Sequence, residues 1–405
     1  MPSDITLSAA TRQNLLSLQD TASLTQTTQN RLATGLKVSS ALDNPVNFFT
    51  AQSFTSRSGD LSALLDSISN GVQTIQAANQ GITSIQKLID SAKSTANQAL
   101  TTQLSTTGTA KTAYTAPGAG GATVDFYVNG TSGSATIPAG STIDAAITAL
   151  NGAATTAGAG NVFSKDTTGT KIVLNASADF EFKDTASQTA LGFQAGTVPT
   201  PATNATYGTG NDTVGQSADI TVAGVSTRNS LAQQYNSLLV QITQLAKDSS
   251  FNGVNLISSN ATTNKLHIAF NEKDTSNIDI QGQDLTSDGL KLKAIGPNSG
   301  AAVNGQGNFL LDADIKGTLA GLGTASDTLR ASSSTFGSNL SVVQNRQDFT
   351  KKIVNVLDTG SANLTQADLN AEAANSQALS TRQSLGISAL SLANQAQQGI
   401  LQLLR

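Results

Sequence analysis

Every seventh residue from Leu61 to Ala96 is apolar: Leu61, Ile68, Ile75, Ile82, Ile89 and Ala96. Three places after each stand Leu64, Gly71, Ala78, Ile85, Ala92 and Ala99. A seam of this period predicts a helix over residues 61–100 that packs along other long helices. At about 1.5 Å per residue such a helix spans roughly 60 Å. That is too long for the core of an ordinary globular domain, so the chain must supply long partners.

Two partners are visible. Leu231, Tyr235, Leu238, Ile242 and Leu245 step by four and three. Leu329, Phe336, Val343 and Leu357 share a seven-residue register, with Leu340 and Val354 on the next ridge. The long seam is expected to pack on both stretches within the chain. A last helical segment runs from about Asp312 to Leu357, and Asp358-Thr359-Gly360-Ser361 is expected to break it.

The two ends of the chain look different. From Ile5 to about Thr34 the pattern is helical, with Leu15 and Leu36 in one register and Leu18 and Leu32 on the adjoining ridge. Thr25 and Gln29 occupy seam positions that are normally apolar. From about Gln366 to Leu404, Leu385, Leu392, Ile400 and Leu403 form a second weak stripe, and residues 383–404 carry no charge. Helices with so weak a stripe and so little charge are not stable alone. They are expected to order when neighbours surround them. Burying uncharged amides and hydroxyls is tolerable where each finds a hydrogen bond, and burying charge costs far more.

Between these helical parts the pattern is β-rich. Residues 101–122 and 195–225 are Thr-, Gly- and Ala-rich and read as linkers. Val124, Phe126 and Val128 alternate with polar residues before an Asn129-Gly130 turn, and a second strand follows near Ala135 to Ile137. Ser141 with Asp144 resembles a capping box opening a short helix. Further strands are expected at 162–163, 171–174 and 180–182, then at 266–270 and 278–280. Asn252-Gly253 marks a tight turn.

The fold class that results is mainly α with a β-rich insertion. A coiled-coil helical rod is formed by the N- and C-terminal halves, plus a small α+β outer domain. The expected domains are 1–38 with 362–405 as terminal helices, 39–104 with 226–361 as the rod, and 105–225 as the insertion. The charge-poor ends would be buried by other copies of the chain, and repeated contacts that do not close give an open helical filament.

Composition narrows function. Charged residues make up 12% of the chain and the net charge is -4, with no Lys/Arg cluster, so nucleic acid is not an expected partner. Cysteine is absent, which excludes disulfides and thiol-ligated metals. No apolar run is long enough to cross a bilayer, and residues 1–10 lack the features of a cleavable secretory signal. His267 is the lone histidine, and a zinc site needs several ligands, so no metal, cofactor or catalytic role is expected.

Several stretches carry a family resemblance. Residues 31–45 read RLATGLKVSSALDNP, similar to the RLSTGLKVNSALDDP signature of bacterial flagellins. Gly71-Val72 and Gly81-Ile82 continue the match, Phe251-Asn252-Gly253 resembles the flagellin FNG turn, and Gln344-Asn345-Arg346 matches its QNR. The ending from Ser391 resembles the flagellin C-terminus. Gly133 to Ile143 resembles a small repeat module of flagellins and hook proteins. The chain is thereby identified as similar to flagellins of an alphaproteobacterial-like type.

The resemblance implies a structural subunit that polymerises with itself, or with other flagellins, into the filament used for swimming. It implies type III export without a cleavable signal peptide and an extracellular location. It further implies an export chaperone, the export gate, and cap and hook-junction proteins as partners. Leu15, Leu18, Leu32, Leu385, Leu392, Ile400 and Leu403 would then lie in the filament core. Leu61, Ile68, Ile75, Ile82, Ile89, Leu238, Ile242, Phe336 and Val343 would pack the rod. Two departures stand out. The larger insertion precedes the second helix instead of following the FNG turn. Ser91 and Thr95 also stand where some flagellins present an Arg and a Leu to Toll-like receptor 5, so weak or absent activation is expected. The alternatives are a hook–filament junction protein and a secreted coiled-coil adhesin or effector.

Overall fold

A computed structural model describes residues 9–196, 217–260, 263–296, 309 and 311–403. The fold is mainly α with a β-containing middle region. The chain divides into two compact units. The first gathers the described parts of Met1–Ser69, Ala269–Asn277 and Gln344–Arg405, and the second those of Asn70–Ile268 and Ile278–Val343.

In the first unit, α1 (Ala9–Thr34) ends at Gly35, whose φ of 70° lets its N–H turn back to the Arg31 carbonyl at 2.8 Å. The expected start at Ile5 lies outside the described residues. Asp43 then closes a turn by accepting from the backbone and hydroxyls of Ser39 and Ser40, and these bonds hold its carboxyl below the usual range. Asn44 caps the next helix, accepting from the Asn47 N–H at 3.0 Å, with Pro45 in the first helical position. This helix, α2 (Pro45–Thr101), runs 57 residues without a break. It therefore begins sixteen residues before the seam that announces it, because residues 46–60 contain no Gly-Pro interruption and Gly59 faces open space.

The first unit also corrects the expected break at residues 358–361. Helix α6 (Asp312–Thr365) passes straight through them. Three of the four residues read as breakers serve contacts with α2 instead. Ser58 donates to the Asp358 carboxylate at 2.6 Å, and Ser361 lies 3.0 Å from the Thr55 hydroxyl. A Cβ on Gly360 would stand 3.3 Å from the Phe54 ring, so glycine here allows close approach of the two helices. The chain turns only at 366–368, where the Asp368 carboxylate caps α7 (Leu369–Leu403) through the N–H groups of Asn370 and Ala371.

The second unit holds the insertion. The supposed linker 101–122 contains a strand, β1 (Ser105–Thr109), and the second supposed linker contains β7 (Ile220–Ala223). Threonine is a good strand former despite its polarity, and pairing on both sides offsets the lack of apolar residues. One antiparallel sheet has the order β4 (Phe163–Lys165), β5 (Ile172–Ala176), β1, β7. The other is β3 (Thr131–Ile137), β2 (Ala122–Val128), β6 (Phe180–Phe182). Asn129 and Gly130, both at positive φ, make the tight β2–β3 turn. Helix α3 (Ile143–Thr156) is capped by Thr142, one residue later than the expected Ser141, whose hydroxyl instead bonds the Pro138 carbonyl. Phe126, Phe163, Phe180, Phe182 and Phe193 form a connected aromatic core, and the short α4 (Thr185–Ala190) lies against β2 and β6.

Beyond the insertion, α5 (Val225–Asp248) buries Leu231, Tyr235, Leu239, Ile242 and Ala246. Leu239 takes the buried place expected of Leu238, which is half-buried. The spacing of four, four, three and four is that of a nearly straight helix, whereas the expected register assumed a heptad twist. Two hairpins follow: β8 (Ser250–Phe251) with β9 (Val254–Asn255) across Asn252-Gly253, and β10 (Lys265–Ala269) with β11 (Asn277–Gln281).

Candidate assembly surface

Helices α1 and α7 pair within the first unit. Arg31 bonds Glu372 at 3.1 Å, and Leu18 crowds Gly386 so closely that a Cβ there would meet Leu18 Cδ2 at 2.7 Å. Two contacts so placed require the helices to run antiparallel. Their connecting backbones are tied as well: Lys37 N–H to the Thr365 carbonyl at 2.7 Å and Ala367 N–H to that of Gly35 at 2.9 Å.

The side chains of this pair are arranged the opposite way from a self-sufficient bundle. Among the described side chains of α1 the buried ones are Thr11, Thr21 and Thr28. Thr21 spends its hydroxyl on the Ser17 carbonyl at 2.7 Å, so it packs as a methyl with no unpaired polar atom. Leu15, Leu16 and Leu24 of α1 and Leu385 and Leu392 of α7 face out. Leu15 is 42% exposed, Leu385 66% and Leu392 71%, while Leu18 and Leu32 are half-buried. Ile400 and Leu403 lie on α7. Leu404 lies outside the described residues.

The long-helix residues behave conventionally. Leu61 and Ile68 are buried in the first unit, and Ile75, Ile82, Ile89, Ile242, Phe336 and Val343 in the second. Polar bridges accompany this apolar core: Gln86 donates to Ser326 at 2.9 Å, and Ser333 meets Asn79 at 3.2 Å. Ser91 is exposed, and Thr95 is buried with its hydroxyl returned to the Ser91 carbonyl at 3.1 Å. Residues 91 and 95 therefore do not present one continuous exposed patch.

Sequence reasoning missed one buried cation. Arg228, its side chain 5% exposed, donates to the Thr102 carbonyl at 2.9 Å and to the Asp312 carboxylate at 2.8 Å. It thus ties the end of α2 and the start of α6 to the first turn of α5. A lone arginine in a Ser/Thr-rich stretch gives no periodic signal, so nothing in the pattern marks it. Near the β10–β11 hairpin, His267 Nδ1 lies 2.6 Å from Asp279, which also accepts from Lys265; hydrogen bonding to Lys265, and then to His267, holds that carboxyl below its usual range. Among the described residues no group of three metal-ligating side chains is present, and no helix is long and apolar enough to cross a membrane.

Both ends of the chain match one family. The bacterial flagellin N-terminal helical region matches residues 5–116, and the flagellin C-terminal helical region matches residues 319–404. The chain belongs to the bacterial flagellin family. Among similar flagellins, FljM of Caulobacter vibrioides is 34% identical over 177 residues, covering 44% of this chain and 60% of its own length. Flagellin FljK of the same bacterium is 32% identical over the same span. Flagellin A of Rhizobium meliloti is 34% identical over 92 residues, 23% of each chain. The chain thus spans less than two thirds of the length of the Caulobacter flagellins it matches.

Proposed function

We propose that this flagellin is the structural subunit of a bacterial flagellar filament used for swimming, and that it acts by self-assembly. The observation that carries this is the α1–α7 pair, with threonines inside and leucines outside. Exposed leucines cost free energy in a monomer, roughly 25 cal/mol per Å² of apolar surface left in water. A second copy of the chain removes that cost.

In this proposal Leu15, Leu18, Leu32, Leu385, Leu392, Ile400 and Leu403 make the intersubunit core, within a domain of 1–38 and 362–405. Residues 39–104 and 226–361 form the rod, and 105–225 face outward. Family membership supports export through the type III system, with its chaperone, gate, cap and hook-junction partners, and an extracellular place. Ser91 and Thr95 make activation of Toll-like receptor 5 weak or absent; strong signalling by purified monomer in a reporter assay would contradict that. Seeded polymerisation of the purified chain, followed by light scattering and electron microscopy, tests the main proposal. Elongating filaments are expected. A chain that stays monomeric on its own seeds overturns it.

A further inference from the structure

Asn-Gly occurs four times among the described residues, as Asn70-Gly71, Asn129-Gly130, Asn151-Gly152 and Asn252-Gly253. Asn304-Gly305 lies outside them. This dipeptide carries a chemistry of its own. The backbone nitrogen of a glycine has no Cβ to shield it, and it can attack the side-chain carbonyl carbon of the asparagine before it. What decides the outcome is how firmly the two groups are held.

Three of the four pairs are held. Gly71 lies within α2 and Gly152 within α3, where each N–H is committed to a carbonyl four residues back. Asn151 is engaged again through its side chain. Its Oδ1 accepts from the Val162 and Phe163 N–H groups at 2.9 and 2.8 Å, and its Nδ2 donates to the Phe163 carbonyl at 2.9 Å. Asn129 stands in a turn, but its Oδ1 accepts from the Asp179 N–H at 3.0 Å and its own N–H donates to the Asp179 carbonyl at 2.9 Å. The flanking strands β2 and β3 pair along their whole length, and β6 adds a third strand.

Asn252 differs on each count. It and Gly253 are exposed. Among the described residues neither the Asn252 amide nor the Gly253 N–H makes a hydrogen bond. A Cβ on Gly253 would meet nothing within 4 Å, so no neighbour crowds this glycine. The strands beside the turn, β8 and β9, pair over two residues each, so the turn opens locally at small cost.

We propose that Asn252 is a site of spontaneous conversion to aspartate and isoaspartate. The Gly253 nitrogen gives its proton to a base in solvent and bonds to Asn252 Cγ. The Cγ–Nδ2 bond breaks, and the departing nitrogen takes up a proton and leaves as ammonia. Water then opens the five-membered ring. Attack at Cγ gives aspartate, and attack at the backbone carbonyl gives isoaspartate, whose main chain runs through Cβ. The lengthened main chain shifts Phe251 against Val254. Asn255, next along β9, bonds the Ala246 and Lys247 carbonyls at 2.8 and 2.9 Å, so the change also loosens the end of α5. The site is independent of filament assembly.

The test incubates the purified full-length monomer at mildly alkaline pH and follows each Asn-Gly by peptide mass spectrometry, with fragmentation that separates aspartate from isoaspartate. A parallel sample is kept unfolded in urea. Asn252 is expected to convert at least about tenfold faster than Asn70, Asn129 and Asn151 in the folded chain, and all four at comparable rates in urea. Folded-state rates that do not differ among the four overturn the proposal, as does an Asn252 that stays intact while its unfolded counterpart converts. Asn252→Gln, whose longer side chain disfavours the five-membered ring, is expected to abolish the mass gain in the peptide 248–265, with far-UV circular dichroism unchanged. Should that variant lose helix, the fragment ions of the wild-type peptide decide: a gain placed on Asn252 supports the site, and one placed on Asn255, Asn260 or Asn264 overturns it.

Discussion

Threonine fills the α1–α7 seam where isoleucine fills that of α2, and the choice decides which helices stand alone. Buried Thr21 and Thr28 contribute a methyl each and leave little surplus over the entropy of ordering the pair. At the same scale, one glycine holds the root of the insertion. Gly224 has a φ of 87°, and a Cβ on it would come 2.3 Å from the Gln103 carbonyl. Gly224→Ala is expected to cost about 2–3 kcal/mol through strain and displaced backbone, read as a lower urea midpoint. Asp166 gives a pH prediction. Its carboxyl accepts from the Thr168 hydroxyl and from the Lys171 and Thr170 N–H groups, lowering it from 3.8 to about 2. A depressed carboxyl favours the folded turn above the unfolded value and loses that contribution as pH falls through the folded one. Carbon NMR of this side chain should show a midpoint near 2; a midpoint near 3.8 would contradict the bonding.

At the scale of elements, legibility followed apolar period. The α2 seam from Leu61 was plain because five heptads of Ile and Leu repeat without interruption. The continuity of its first sixteen residues with that seam was not, since Phe48, Phe49 and Phe54 follow no heptad. Strand β1 hid in threonines whose partners, on β5 and β7, lie far away in sequence. Gly360 looked like a breaker because pattern alone cannot distinguish a glycine that ends a helix from one that lets another helix approach. The α1–α7 pair was legible as weak, but the inward turn of its threonines was not, because a hydroxyl satisfied by its own helix reads as polar in any pattern. Arg228 was invisible for lack of period. Arg228→Met should destabilise by about 2–4 kcal/mol, since charge-assisted bonds to Thr102 and Asp312 vanish together. Asp312→Asn should cost less than half of that, because the Asp312 carboxylate is 57% exposed. Thermal unfolding of both variants checks the ranking.

For the whole molecule, the long helices carry a conventional apolar core and the α1–α7 pair lacks one. Deleting 383–405 should abolish polymerisation while the buried residues of the long helices keep their cooperative unfolding. Deleting 105–222 should leave polymerisation largely intact, because the insertion carries its own core of phenylalanines. Sedimentation of each variant after seeding separates these outcomes. The most direct measurement is a density map of the polymer grown from purified wild-type chain. The proposal places α1 and α7 innermost, their leucines covered by neighbouring copies, with the β-rich insertion outermost. A polymer whose α1 and α7 leucines remain in contact with solvent would contradict it.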